Sequence, residues 1–261
     1  MKTYNYIFGI MAILLMATAC SKDDEPSVNP PVYSLQKSDA VVAVDLGLSV
    51  LWSNCNMGAT SPHDYGGYFA WAEPTGTLWS AEGISHDGNA YSWNTSNYGG
   101  NTPSGSYAGS SLDIATVNWG SGWHVPSYYE FAELIEKCEW VLVQQGSSAW
   151  VQVTGPNGNS IDMPLAGMYG DDEDNDKIRL LYGPLHTNST GSYWTSSTCW
   201  KQVGPSRGYS VNPGVETAWE LLFTYDKSNA KVYSAFRDHL RAFHMSIRPV
   251  YTKPEDIQPN Q

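Results

Sequence analysis

Basic residues are scarce in this sequence: 14 lysines and arginines stand against 26 aspartates and glutamates, for a formal net charge of −12 over 261 residues. Nucleic-acid phosphates need clustered Lys and Arg for neutralisation, and no basic stripe occurs, so nucleic acid is excluded as a partner. The same acidity disfavours tight contact with anionic lipid head groups. Histidine is sparse as well. The six present form no HExxH or His-x-His set, and none stands beside two carboxylates at metal-ligand spacing. No segment recurs at a fixed period, which excludes solenoids and propellers. The apolar run Ile7–Ala19 falls short of the roughly 20 residues a membrane-spanning helix requires.

Aromatic residues are plentiful instead, with 11 tryptophans and 17 tyrosines, while hydrophobic content stays at an ordinary 41%. A chain of this length can form one large domain or two small ones and can bury a substantial core. The strongest helix start lies in Asn118–Trp140. Pro126 ends what precedes it, and Ser127 stands three residues before Glu130, the spacing of a capping box. Phe131, Leu134, Ile135 and Cys138 then fall on one helical face, with Glu133 and Glu136 turned to water. Ahead of that helix, Trp119 and Trp123 bracket a glycine turn.

The rest of the chain reads mainly as short strands. Val41–Leu51 is β-branched and apolar, as a buried strand would be. A short helix over Leu112–Asn118 takes Ser110 and Asp113 as its cap. Trp140–Val143 and Trp150–Val153 predict a hairpin, Ile161–Ala166 a strand, and Thr217–Tyr225 with Lys231–Phe236 a second hairpin. Pro74–Ser110 has no periodicity and collapses into Gly, Ser, Asn, Thr and Tyr, which marks a functional loop or an insertion. The expected class is α+β in a single domain: short antiparallel strands, one firm helix at about 127–138, one short helix at about 112–118, and long loops.

The blocks Trp123–Ser127 and Glu130–Leu134 resemble the W-R-M-P-T-x-x-E-W-x-E-L signature of the FISUMP family, the Fibrobacter-type major paralogous domain. VDLGLSVLWSNCNMGAT at Val44–Thr60, YGGYFAWAE at Tyr65–Glu73, GNSIDMPLAG at Gly158–Gly167, YWTSS at Tyr193–Ser197, AWELLF at Ala218–Phe223 and SIRPV at Ser246–Val250 follow the family in the same order. The resemblance implies a C-type-lectin-like fold, distantly similar to formylglycine-generating enzymes, spanning 44–251. It implies little about activity. Catalysis of the formylglycine-generating type needs a reactive cysteine pair late in the domain, and only Cys199 lies there. The EPN and WND signatures of calcium-dependent lectins are absent.

The start of the chain reads as an address. Lys2 and the apolar Ile7–Ala19 form a signal peptide over 1–19, and Ala17-Thr18-Ala19-Cys20 resembles a bacterial lipobox. Ser21–Glu25 is similar to the acidic export signal of Bacteroidota surface lipoproteins. The expectation is an acylated, palmitate-bearing Cys20 in the outer membrane, exposed at the cell surface, with 20–43 as a tether. Residues 252–261 read as a disordered tail. With Cys20 lipidated, three cysteines remain. Cys55 and Cys138 both lie in family blocks, so the resemblance implies a disulfide between them.

Three further patterns invite chemistry. Gly204-Pro205-Ser206-Arg207-Gly208 matches a G-x-S-x-G elbow, but Pro213-Gly214 denies it the helical exit that motif needs. Asp172, Asp174 and Asp176 alternate as calcium ligands do, yet Lys177 and Gly183 stand where an EF-type loop wants glycine and glutamate, which leaves a solvated acidic turn as the better reading. Trp79, Tyr91, Trp93 and Tyr98 lie in the long polar loop outside the family blocks, and Trp200 and Arg207 lie in a later one. Exposed aromatics offer flat faces and hydroxyl handles, so these six are the candidate ligand contacts, against the alternative that they anchor their own loops. The function expected is non-enzymatic recognition or adhesion for a glycan or extracellular protein, without a cofactor and touching membrane only through the N-terminal lipid. A fimbrial-type structural subunit and an extracellular glycan hydrolase are the alternatives.

Overall fold

The computed structural model describes residues 34–75, 105–146, 148–172, 177–182, 190–199, 217–241 and 243–253. All of them belong to one compact unit, Pro31–Gln261. The described chain is mainly antiparallel strand in four small sheets with two helices, an α+β arrangement dominated by β.

The first sheet joins the two ends of the described chain. β1 (Ala43–Asp45) pairs with β2 (Val50–Ser53), β2 with β13 (Val250–Thr252), and β13 with β3 (Trp123–His124). The single strand expected over Val41–Leu51 is thus two strands. Gly47 takes φ 77° between them and its N–H donates to Asp45 Oδ1 at 2.8 Å, an Asx turn that reverses the chain. Residues 34–43, expected as tether, are partly packed: Val41 is buried and Leu35 O accepts from Trp119 Nε1 at 2.9 Å.

The helices follow their caps. α1 (Ile114–Trp119) starts later than expected because Asp113, not Ser110, is its N-cap; Asp113 Oδ1 accepts from the N–H groups of Ala115 and Thr116. The other oxygen of Asp113 accepts from Gly109 and Val125, so one buried carboxylate fixes both flanks of the helix. α2 (Tyr128–Lys137) begins where the sequence places it, with the Ser127–Glu130 capping box complete. Phe131 and Leu134 are fully buried, while Ile135 and Cys138 pack at the margin. Glu133 does not turn wholly to water: its Oε2 accepts from both the N–H and the hydroxyl of Ser49.

Three more sheets complete the unit. β4 (Glu139–Gln145), β5 (Ser148–Thr154) and β6 (Ser160–Pro164) form a meander, and β7 (Met168–Asp172) pairs with β8 (Lys177–Tyr182) and β12 (His244–Met245). β9 (Thr190–Thr198), β10 (Thr217–Asp226) and β11 (Lys231–Leu240) make the last, with β10 central. Both expected hairpins are present, each longer than the sequence suggested.

Two apolar clusters hold these layers together. One gathers Trp71, Ile114, Trp123, Trp194 and Met245; the other gathers Trp52, Phe131, Leu134, Val151, Tyr193 and Phe223. Trp119 and Trp123 meet edge-on at 5.1 Å, so the two indoles beside α2 are core. Gly155 lets two loops touch backbone to backbone, since a Cβ there would lie 2.0 Å from Leu46 O.

Candidate functional site

The described part of the chain forms a cleft of about 780 Å³ where three segments meet. One wall is the loop 56–67. Its base is closed by Gly67 N–H donating to Met57 O at 2.9 Å, and Asn56 Nδ2 donates to Tyr65 O at 2.9 Å. Gly66 is required at the exit, with φ 70° and no room for a Cβ, which would stand 2.4 Å from Met57 O. The loop so pinned presents His63, Asp64 and Tyr65 to the cleft, facing Lys37 of the N-terminal segment and Trp150 of β5.

His63 is the centre of this arrangement. Its ring stacks on the Trp150 indole at 3.7 Å between centroids and 17° between planes. Its Nε2 lies 2.8 Å from Asp162 Oδ2. β5 and β6 bring those two partners together, because Gln152 pairs with Asp162 and Trp150 with Pro164, placing Trp150 and Asp162 diagonally on one sheet face. Behind them, fully buried Arg248 holds the frame: Nη2 donates to Asp162 O at 2.8 Å, Nη1 to Ser53 O at 3.0 Å and Nε to Asn56 Oδ1 at 2.8 Å. That guanidinium ties the loop, β2 and β6 in one fork.

The chemistry of the cleft follows from these contacts. An ionised carboxylate only accepts, so Nε2 of His63 carries the hydrogen in their contact. The His63 side chain is 40% exposed, and Asp162 is its one hydrogen-bonding side-chain partner among the described residues. Among the described residues, no hydroxyl or thiol hydrogen-bonds the ring. Trp150 Nε1 and Asp162 Oδ1 are buried beside the same wall and have no hydrogen-bond partner among the described residues. Burial raises the Tyr65 phenol above its ordinary range, so it remains a neutral donor and acceptor.

The sequence pointed elsewhere for ligand contacts. Cys20, Trp79, Tyr91, Trp93, Tyr98, Trp200 and Arg207 lie outside the described residues. Asp172 closes β7 and Lys177 opens β8, so the acidic stretch connects two paired strands; Asp174 and Asp176 lie outside the described residues. Among the described residues, no three His, Cys, Asp or Glu side chains gather as metal ligands. The disulfide implied between Cys55 and Cys138 is not formed. Cys55 is buried in the cluster around Trp71, whereas Cys138 packs at the margin of the cluster around Phe131. Both remain thiols.

His63 and Asp162 are 99 residues apart; Asp162 stands inside the Gly158–Gly167 block, but His63 stands in none, so nothing in the sequence links the two. Trp150 shows only as one indole among eleven. Comparison of the chain with protein-family models, with curated proteins and with solved structures finds no match in any of the three.

Proposed function

We propose that this chain is a surface-anchored, non-enzymatic recognition module of C-type-lectin-like architecture, held to the outer membrane by a lipid on Cys20 and taking a glycan or an extracellular protein as its ligand. The observation that carries the recognition part is the cleft around His63: a flat ring fixed on Trp150 and Asp162, rimmed by Lys37, Asp64 and Tyr65. Such a mixture of ring surface and convergent polar groups orients a ligand. Pairing of β2 with β13, which brings the first and last parts of the described chain side by side, supports the lectin-like architecture. The lipobox-like Ala17–Cys20 and the acidic residues after it support the anchor.

Two measurements test this reading. Cys20→Ala should abolish palmitate labelling and release the chain from membranes; wild-type protein found soluble in the periplasm would refute the anchor. On arrays of glycans and matrix proteins, His63→Ala should lose the signals that the wild type gives. If every wild-type signal survives that substitution, the ligand site is not this cleft, and the Trp79–Tyr98 stretch becomes the next place to look.

A further inference from the structure

We infer that the cleft takes a neutral sugar unit, seated against the outer face of the His63 imidazole, which rests on the recognition reading above and narrows it to one ligand class. Trp150 backs one face of the imidazole at 3.7 Å, and Asp162 fixes its edge at 2.8 Å, so the ring has little freedom to turn. The side chain is 40% exposed and lines the cleft, which leaves ring surface for a ligand. A stiff, flat, partly apolar plate complements the C–H face of a pyranose. The in-plane Nδ1 is a polar partner for a ring hydroxyl, which can donate or accept.

The rim matches a hydroxyl-rich ligand for the same reason. A sugar hydroxyl both donates and accepts, so it needs both kinds of partner close together. Asp64 accepts, Lys37 donates, and the hydroxyls of Thr60, Tyr65 and Ser148 do either. The Lys37 ammonium is already drawn to Val41 O at 3.2 Å, and the carboxylates of Asp64 and Asp162 outnumber it. An anionic ligand would meet repulsion here. An extended peptide fits less well than a sugar: β5 is the central strand of its sheet and is paired on both sides from Trp150 to Thr154, so no strand can be added along it there.

The test uses the full mature chain and calorimetric titration with cellotetraose, mannotetraose, xylotetraose and maltotetraose, with sialyllactose as the acidic control and a hexapeptide library as the peptide arm. At least one neutral tetrasaccharide should bind. His63→Ala should weaken that binding roughly tenfold or more, and His63→Phe, which keeps a flat ring but loses Nδ1, should fall between the two. The melting temperatures of the variants, measured alongside, identify any variant that fails to fold; Asp64→Asn at the rim then supplies the second reading of the same contact. Neutral-sugar binding that ignores both His63 and Asp64 overturns the inference. Peptide or sialyllactose binding that depends on His63, with no neutral sugar bound, also overturns it while leaving the recognition reading intact. Absence of any His63-dependent ligand defeats both.

Discussion

His124 Nε2 lies 2.8 Å from Glu130 Oε1, while the other oxygen of that carboxylate accepts from the Ser127 N–H at 2.6 Å and closes the cap of α2. His124 Nδ1 faces Gly122 O at 3.4 Å, so both ring nitrogens look at acceptors and the imidazolium satisfies both. The helix that organises half of the core is therefore capped by a titrating pair. Burial works against charging His124, but the hydrogen bond and charge of Glu130, with Asp113 behind, outweigh it and raise its pKa. Burial likewise works against the Glu130 carboxylate, and His124 with Ser127 outweighs it and lowers its pKa.

A raised folded pKa on His124 means stability fully present below the ordinary imidazole value of 6.5 and lost as pH climbs through the folded value. A lowered Glu130 pKa means stability present above the ordinary 4.5 and lost as pH falls through the folded value. The pair should stabilise most between those limits. His124→Ala should cost about 1–3 kcal/mol near pH 5.5 and less near pH 8.5, read from denaturant midpoints. An equal loss at both pH values would show that the imidazole only fills space.

The same helix separates capping from packing. Ser127→Ala removes the acceptor of the Glu130 N–H and should cost about 0.5–2 kcal/mol. Leu134→Ala empties a fully buried site and should cost about 2–5 kcal/mol. Urea unfolding of the two variants checks the order; a cap that costs more than the core leucine would contradict it.

Glu220 lies on central strand β10, opposite Trp194 on one side and Arg237 on the other, and is fully buried. Burial raises its pKa to about 7, with Ser192 and Arg237 offsetting only part of the effect. Between the ordinary 4.5 and about 7 the folded state holds a proton that the unfolded state has released, so stability should fall as pH rises through that window. Glu220→Gln should remove this loss and stabilise the protein at pH 8 by a few kcal/mol, at about 1.4 kcal/mol per unit of pKa. Comparing thermal melts of the variant and the wild type across pH cancels the His124 contribution. A variant less stable than wild type at pH 8 would show that the carboxylate is paired in its charged form.

Cys138 is half-buried, and burial, with the nearby Glu133 charge, pushes its thiol up to about 11. Cys55 is buried, and desolvation raises its thiol too. Neither should react with maleimide in native protein at neutral pH, because little thiolate is present. Raising the pH should expose Cys138 to labelling first, and denaturant should release both without a reductant. Mass mapping that recovers a Cys55–Cys138 bond would overturn the arrangement.

Local patterns were the legible part. The Ser-x-x-Glu spacing placed α2 to within a residue, and apolar runs either side of short polar turns placed the β4–β5 and β10–β11 hairpins. Even there, local rules competed. Ser110 looked as good a cap as Asp113, yet only Asp113 reaches Gly109 and Val125 as well as its own helix, so three segments select it. The cysteine pair failed differently: membership of two motifs says nothing about distance, and the fold put the two thiols in separate clusters.

By itself, then, the sequence determined what depends on neighbours in the chain: the caps, the hairpins, the glycine turn between Trp119 and Trp123, and an acidic surface unsuited to phosphates. The cleft was decided only in three dimensions. His63 comes from a loop, Trp150 and Asp162 from two strands of a meander, and Arg248 from the far end of the chain. Each is an ordinary residue in its own segment. Side-chain hydrogen bonds and ring stacking act over 3–4 Å of space regardless of separation along the chain, so a contact across 99 residues leaves no mark in local spacing.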